Sequence, residues 1–196
     1  FWAEIALTKV DKNGVLKKNL IGSDIKKIIN KYNVLSDADE IKPYETDDLA
    51  AYKNTPLAVV LPENTQEVSE ILKYCNNENI KVIPRGAGTG LSGGALPLND
   101  AILLGLGKFN KILDVDFNNN CVVTQPGVTN LSITHAVKHK GYYYAPDPSS
   151  QLACSIGGNV AETSGGGHSL KYGPTTNNLP GAEMDRMEGS GRRRGG

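Results

Sequence analysis

The sequence has no excess of charge of either sign and no long apolar segment. Its 196 residues include 21 basic and 21 acidic side chains, so the formal net charge is zero. Such a balanced chain has no general electrostatic field that would concentrate it on nucleic acid or on an anionic membrane. It also contains no run of about 18 consecutive apolar residues, the least that a helix needs to cross a bilayer. We therefore expect neither a nucleic-acid-binding protein nor a membrane-spanning one.

Cysteine is scarce as well. The three cysteines, Cys75, Cys121 and Cys154, are odd in number and far apart. They form neither the Cys-X-X-Cys spacing of a metal site nor the even set of a disulfide framework. This usage suits a reducing compartment, and we expect a cytoplasmic protein or one bound at the periphery of the inner membrane.

Both ends differ from the middle of the chain. The sequence begins with Phe1, so we expect residues to precede it, and the lack of a targeting signal excludes nothing. From Met184 onward there is no apolar periodicity. We predict a disordered or aberrant tail over residues 184–196 in preference to a nucleic-acid-binding arm.

Residues 1–50 are predicted to form an N-terminal helical segment. Ser23 is a candidate N-cap for a helix that runs to about Tyr32. The apolar positions of this helix fall on one face, at Ile25, Ile28 and Ile29.

A β-α-β unit follows. Ala58–Leu61 is a short apolar strand, and Asn64 or Thr65 caps the helix after it. That helix has apolar residues at helical spacing, namely Val68, Ile71, Leu72 and Cys75. The helix delivers a second strand, Ile80–Ile83, which we predict to lie beside the first and parallel to it.

The second half of the chain predicts shorter strands and a long loop. Strands are expected at Ala101–Leu104, Ile112–Val115 and Cys121–Thr124, the last two joined as a hairpin by a turn-rich segment. Thr129 caps a helix to about Lys140, which Gly141 ends. Residues 141–173 are then mostly Gly, Ser, Pro and Asn, and a loop of that length is usually functional.

Five glycines fall within nine residues, 86–94, directly after a predicted strand. Glycine can adopt positive φ, and successive exposed N–H groups in such a turn form an anion-binding concavity. Thr89 and Ser92 add hydroxyl donors, and Arg85 adds a positive charge. A plain flexible surface loop is the alternative, but the preceding strand and the hydroxyls favour phosphate binding.

The run from Gly88 to Gly93 also satisfies the GxGxxG pattern of NAD-binding folds, and Asp114 follows about 20 residues later. In those folds the loop must open a helix whose N-terminus holds the pyrophosphate. Here residues 95–100 include Pro97 and show no helical period. We therefore reject the NAD-type interpretation. A P-loop is excluded too, because no Lys-Ser or Lys-Thr pair is present.

Three ordered segments carry a family resemblance. They are PRGAGTGLSGG at 84–94; QPGV at 125–128 with YAPDPSS at 144–150; and SIGGNVAE at 155–162 with GGGHSLKYG at 165–173. Together they resemble the FAD-binding domain of the p-cresol methylhydroxylase and vanillyl-alcohol oxidase type. Within that type they are most similar to the FAD subunit of glycolate oxidase and to D-lactate dehydrogenases. The resemblance covers residues 44–178.

The resemblance implies that the first segment wraps the FAD pyrophosphate and that the other two line the flavin and the rest of the dinucleotide. It assigns cofactor contacts to Arg85, Gly86, Ala87, Gly88, Thr89, Gly90, Leu91, Ser92, Gly93, Pro146, Asp147, Pro148, Ser149, Ser150, Ser155, Gly157, Gly158, Asn159 and Ala161. Members with covalent flavin often carry histidine where Thr89 stands, so non-covalent FAD is expected.

The implied fold is α+β over residues 51–183. It consists of two α/β subdomains, a small parallel β-α-β unit and a mostly antiparallel sheet. After Asn178 the sequence departs from the family, because Asp185 and Arg186 stand where apolar residues are expected. The cap domain and the C-terminal segment with catalytic histidines are not recognised, so no catalytic residue is assigned.

The implied activity is oxidation of a 2-hydroxy acid, of the glycolate or D-lactate type, to a 2-oxo acid. Electrons would pass through FAD to a partner subunit or a membrane acceptor, and iron–sulfur or second flavin-domain subunits are the expected partners. Two alternatives are an enzyme such as an alditol oxidase on the same fold and a non-catalytic flavin-binding subunit. The APDPSS run at 145–150 speaks against the first, and the intact glycine-rich run speaks against the second.

The histidines give a weaker signal. His135 and His139 lie four residues apart on a predicted helix, a spacing that can hold a metal, but no further ligand is near them in sequence. We predict no metal site. For His168 a role beside the cofactor and simple loop packing both stay open.

Overall fold

A computed structural model describes residues 12–186 and 189–194. Within these residues the chain forms six α-helices and eight strands. The helices are α1 (Lys12–Ile28), α2 (Ala38–Ile41), α3 (Thr65–Asn77), α4 (Asn130–Val137), α5 (Ile156–Ala161) and α6 (Ser169–Tyr172). The strands are β1 (Val34–Leu35), β2 (Ala58–Val60), β3 (Lys81–Arg85), β4 (Ala101–Gly105), β5 (Ile112–Asp116), β6 (Cys121–Thr124), β7 (Gly181–Arg186) and β8 (Gly189–Arg194).

The largest sheet has four strands in the order β1-β2-β4-β3. β2, β4 and β3 run parallel, and β1 pairs antiparallel with β2. The predicted parallel relation of β2 and β3 is confirmed, but their predicted contact is wrong because β4 lies between them. Pro84 has no N–H to donate, which restricts β3 to an edge of the sheet. β4 is buried along its whole length, as a central strand requires.

Each face of this sheet packs against helices. On one face the strand residues Ala58, Val60, Ile102 and Leu104 form a cluster with Ile21 and Ile25 of α1, with Ile29 directly after α1, and with Val68, Ile71, Leu72 and Cys75 of α3. On the other face Val59 and Leu103 pack against Ile41 of α2. Successive strand residues point to opposite faces of the sheet, which is why both faces are covered. The sheet therefore forms the core from which the loops at its edge extend.

α1 corrects the prediction of a helix that starts at Ser23. The helix already includes Lys12 and ends at Ile28, so Ser23 lies inside it with an exposed side chain. Glycines in the preceding residues hid this continuation. One of them, Gly22, is buried, and a Cβ added there would be in ordinary van der Waals contact with the Ser36 Cβ at 3.4 Å. The helix therefore continues through Gly22 despite the low helix propensity of glycine.

α3 and α4 agree with their predicted starts. Asn64, not Thr65, caps α3 by accepting a hydrogen bond from the Glu67 N–H. Thr129 caps α4 by accepting from the Ser132 N–H, and Gly141 ends the following turn at φ 79°. β5 and β6 form the predicted antiparallel hairpin. A parallel unit beside antiparallel strands is therefore confirmed.

The described residues of the predicted tail form strands. β7 and β8 form an antiparallel hairpin with Gly181 opposite Arg194. Backbone pairing of this kind needs no apolar alternation, so the hydropathy pattern did not reveal it. Residues 187–188 and 195–196 of the predicted tail lie outside the described residues.

Candidate functional site

The glycine-rich run leaves the carboxyl end of β3 as an irregular segment, residues 86–95, which we call the glycine loop. Gly88 and Gly93 adopt φ values of 74° and 76°, a region that side chains rarely enter. In the described part of the chain, no acceptor is bonded to the backbone N–H groups of residues 87–95. A row of such unpaired N–H groups is the arrangement that binds an anion.

The glycine loop lies against α5, so the first and third segments of the sequence meet. Gly86 contacts the Ser155 side chain and leaves no room for a Cβ. The Ser92 hydroxyl donates to Oε2 of Glu162 over 2.7 Å. Glu162 also limits Gly90, where an added Cβ would lie 2.9 Å from Oε1. The predicted use of Ser92 as a phosphate donor therefore competes with a bond inside the protein.

Arg85 was predicted to offer its charge to a phosphate, but its side chain lies within the protein. The residue is 7% exposed. Nε and Nη2 donate to the Ala95 carbonyl over 3.1 and 2.5 Å, and Nη1 donates to the Tyr44 carbonyl over 3.3 Å. Burial lowers the pKa of the guanidinium, and the charge of Asp47 opposes that shift. Arg85 thus ties the backbone around the glycine loop.

The second segment is held by buried amides and by the third segment. Pro146 and Pro148 are buried, and the Asn130 side-chain amide donates to the Pro146 carbonyl over 2.8 Å. Oδ1 of Asp147 accepts a hydrogen bond from the backbone N–H of His168 over 2.9 Å, and Oδ2 lies 2.9 Å from Nδ1 of the His168 ring. This pairing assigns His168 a defined partner and fixes the 165–173 segment against Asp147.

The third segment starts with a buried network. Asn159 is 3% exposed, and its Nδ2 donates to Asn130 Oδ1 over 3.1 Å and to Cys154 Sγ over 3.3 Å. Gly157 packs on Pro126, where an added Cβ would lie 2.6 Å from the proline Cβ. The Ser155 hydroxyl is buried without a hydrogen-bond partner among the described residues. These side chains join the segments from within.

An exposed cluster of aromatic and basic groups lies next to Asp147. The ring centroid of Tyr143 is 6.1 Å from that of His168 and 6.1 Å from that of Tyr172. Lys171 Nζ is 4.9 Å from the centroid of the Tyr172 ring. Hydrogen bonding from Tyr143 and then from Lys171 lowers the pKa of the Tyr172 phenol. Ring contacts and hydrogen bonds therefore connect Tyr143, His168, Lys171 and Tyr172 on the surface.

The predicted cofactor residues differ in exposure. The buried ones are Arg85, Pro146, Pro148, Ser155 and Asn159, the exposed ones are Ala87, Leu91, Ser92, Ser149 and Ala161, and the remaining nine are half-buried. Sequence reasoning missed Glu162 and Asn130, which join the segments. Glu162 is the last residue of the motif at 155–162, but no local signal marked Asn130.

His135 and His139 do not form a chelating pair with other ligands. His139 packs edge-on against Phe117, with ring centroids 6.0 Å apart. Across residues 12–186 and 189–194, no group of three His, Cys, Asp or Glu side chains could hold a metal ion. The described helices also include none with the length and apolar character needed to cross a membrane.

The chain is similar in sequence to known proteins. Residues 56–192 match the sequence family described as "FAD binding domain". Over 184 residues the chain is 47% identical to glycolate oxidase subunit GlcD of Escherichia coli strain K12, covering 94% of this chain and 36% of that protein. Over 168 residues it is 33% identical to the mitochondrial D-2-hydroxyglutarate dehydrogenase of Arabidopsis thaliana, covering 86% and 30%. The chain therefore spans about a third of the length of these curated relatives.

A solved structure extends the likeness to the fold. p-Cresol methylhydroxylase with substrate bound superposes with a TM-score of 0.75 at 20% identity, covering 93% of this chain and 36% of that chain. This agreement confirms the predicted fold type.

Proposed function

This chain belongs to the family of FAD-binding domains, and from that premise we propose that it is the flavin-binding portion of an oxidoreductase that converts a 2-hydroxy acid to a 2-oxo acid. The observation that carries the proposal is the 47% identity over 184 residues to a glycolate oxidase subunit. Relatives named for D-2-hydroxyglutarate and D-lactate also match. Their substrates share a hydroxyl on the carbon next to a carboxylate.

The residues present fit FAD. The pyrophosphate of FAD is an anion, and the glycine loop has a row of unpaired N–H groups to receive it. The positive φ values of Gly88 and Gly93 turn the backbone there as glycine alone readily allows. Thr89 stands where covalent members of the resembling family carry histidine. We propose that the chain holds FAD without a covalent bond.

This chain, the cofactor and the rest of the enzyme would supply different parts of the reaction. When bound, FAD would supply the acceptor for the hydride that leaves the carbon bearing the substrate hydroxyl. The residues of this chain bind and orient the cofactor. Oxidation also needs a group that binds the substrate carboxylate and a base that takes the hydroxyl proton. Because the chain spans about a third of its relatives, we propose that those groups lie outside this span.

We further propose that the enzyme works with partners. The E. coli relative is named as a subunit, which supports assembly with other chains. An iron–sulfur subunit or a second flavin-domain subunit would take electrons from the flavin.

Reconstitution of the chain tests the cofactor assignment. The chain should retain FAD, detected by its visible absorbance after desalting, and should not retain NAD. Acid precipitation should release the flavin into the supernatant, because the proposed bond is not covalent. Retention of NAD without flavin would contradict the assignment, and colour left in the pellet would contradict non-covalent binding.

A chimaera tests the reaction class. This chain would replace the aligned segment of the E. coli subunit, and glycolate oxidation would be measured with that subunit's own partners. We expect FAD content and glycolate oxidation to persist. Full FAD content without oxidation would favour the non-catalytic flavin-binding subunit instead. A matched chimaera carrying Gly166→Val, which meets the Asp147 backbone, serves as a misfolding control.

A further inference from the structure

One side chain ties the two ends of the glycine loop together. Arg85 precedes the loop, and its Nε and Nη2 both donate to the carbonyl of Ala95, the last residue of the loop. We propose that Arg85 is a positioning residue for the FAD pyrophosphate. Its hydrogen bonds to the Ala95 carbonyl, which we call the clasp, hold the loop in the shape that leaves the loop N–H groups without an acceptor among the described residues. This inference rests on the proposed function, since it takes the glycine loop to be where FAD binds.

A segment upstream of the family match completes the clasp. The Tyr44 carbonyl accepts from Nη1 of Arg85, and the Asp48 N–H donates to the Gly88 carbonyl over 3.0 Å. Leu49 packs against Gly93, since a Cβ added at Gly93 would lie 3.5 Å from the Leu49 Cδ2. Residues 44–49 precede the matched range of 56–192, so they are a part of the site that the family match does not include.

Asp47 places a negative charge next to the clasp. It is 8% exposed, its Oδ1 accepts from the Leu49 N–H over 2.9 Å, and its Oδ2 is buried with no hydrogen-bond partner in the described part of the chain. Its negative charge stabilises the buried guanidinium against the cost of burial. We therefore expect Asp47 to help hold the Arg85 side chain in its buried position.

The physical need for a clasp comes from the composition of the loop. Glycine-rich backbone has high conformational entropy, which must be lost when a ligand is bound. Fixing the loop ends beforehand lowers that cost. Lysine cannot reproduce the clasp, because its ammonium lacks the planar fork with which arginine reaches two carbonyls at once.

The test compares two Arg85 variants with a control on the same strand. Arg85→Lys keeps the charge and Arg85→Met removes it, while Lys81→Met removes an exposed cation that pairs with Asp100. FAD affinity is measured by quenching of flavin fluorescence. We expect both Arg85 variants to bind FAD about tenfold more weakly, which is the scale of a lost charged hydrogen bond, and the control to bind as the parent does. Parent-like affinity in Arg85→Lys would overturn the clasp.

Hydrogen exchange separates this inference from the proposed function. In the parent chain, FAD should protect the amides of residues 87–95. If FAD binds and these amides stay unprotected, the glycine loop is not the site and both proposals fail. If Arg85→Lys at saturating FAD shows the parent's full protection, only the clasp fails.

A third variant covers the case in which the Arg85 variants do not fold. Asp47→Asn keeps the acceptor for the Leu49 N–H and removes only the charge. It should bind FAD more weakly and show less protection at residues 87–95. Unchanged affinity and protection in Asp47→Asn would overturn the inference by themselves.

Discussion

Gly88 and Gly90 lie two residues apart in the glycine loop, but different physical causes constrain them. Gly88 has a φ of 74°, and an added Cβ would meet nothing closer than the Arg85 Cδ at 3.6 Å. Its constraint is conformational. Gly90 has no positive φ, and its added Cβ would lie 2.9 Å from a Glu162 oxygen, the mobile end of a long side chain. Its constraint is a contact that can yield.

We therefore predict that Gly88→Ala weakens FAD binding more than Gly90→Ala. The left-handed conformation costs a residue with a Cβ about 1–2 kcal/mol, which corresponds to about tenfold in affinity, whereas the Glu162 carboxylate can move aside. Titration with FAD measures both.

The Glu162→Ala background is the control for this prediction. There the small effect of Gly90→Ala should vanish, and the effect of Gly88→Ala should remain. Equal rescue of both substitutions would show that Gly88 is limited by contact and not by its backbone conformation.

The motifs predicted cofactor contacts for Arg85, Ser92 and Asn159 but not the orientation of their side chains. The structure places all three where segments of the chain meet. Their polar groups nevertheless bond to the protein itself. A motif records that a polar group is needed, but the direction of its side chain depends on distant partners such as Glu162 and Asn130, which sequence spacing does not reveal.

At the scale of elements, α3 gives the sharpest prediction. The sequence left Asn64 and Thr65 as alternative caps, and the structure selects Asn64, whose side chain accepts from the Glu67 N–H over 2.9 Å. Asn64→Ala should lower the free energy of unfolding by about 1 kcal/mol, the usual effect of losing an N-cap. Urea denaturation monitored by circular dichroism measures it.

Thr65→Ala is the matched control, since it removes a hydroxyl at the first helical residue and no cap. It should change the free energy of unfolding by less than Asn64→Ala does. If the two substitutions have equal effects, the cap assignment is wrong.

Strand order shows where element prediction from sequence stops. Periodicity identified β2, β3 and β4 as strands, and the β-α-β connection predicted that β2 and β3 are parallel. Adjacency was missed because a crossover helix can span one intervening strand as readily as none. Two local facts did contain the answer: Pro84 suits only an edge strand, and the unbroken apolar run of β4 suits only a central one.

At the scale of the whole molecule, the third of the three segments joins the other two, because it contacts both the glycine loop and the second segment. Their order and spacing were sufficient to predict the fold type, which the superposition on p-cresol methylhydroxylase confirms. The contribution of residues 44–49 was not predicted, because no motif marks the Tyr44 carbonyl, the Asp48 N–H or the Asp47 carboxylate. The hairpin of β7 and β8 was missed because it forms by backbone pairing and has no apolar alternation.

The last prediction concerns activity. The chain spans about a third of its curated relatives, and none of its residues was assigned as the base or the carboxylate site. FAD bound to this chain alone should therefore be reduced by dithionite or light but not by glycolate or D-lactate. Anaerobic mixing with each acid, followed at the flavin absorption band, measures this directly. Loss of the flavin absorption band on mixing with glycolate or D-lactate would mean that the chain already contains a proton acceptor. His168 would then be the first candidate, because Asp147 holds its Nδ1 at 2.9 Å and orients the ring.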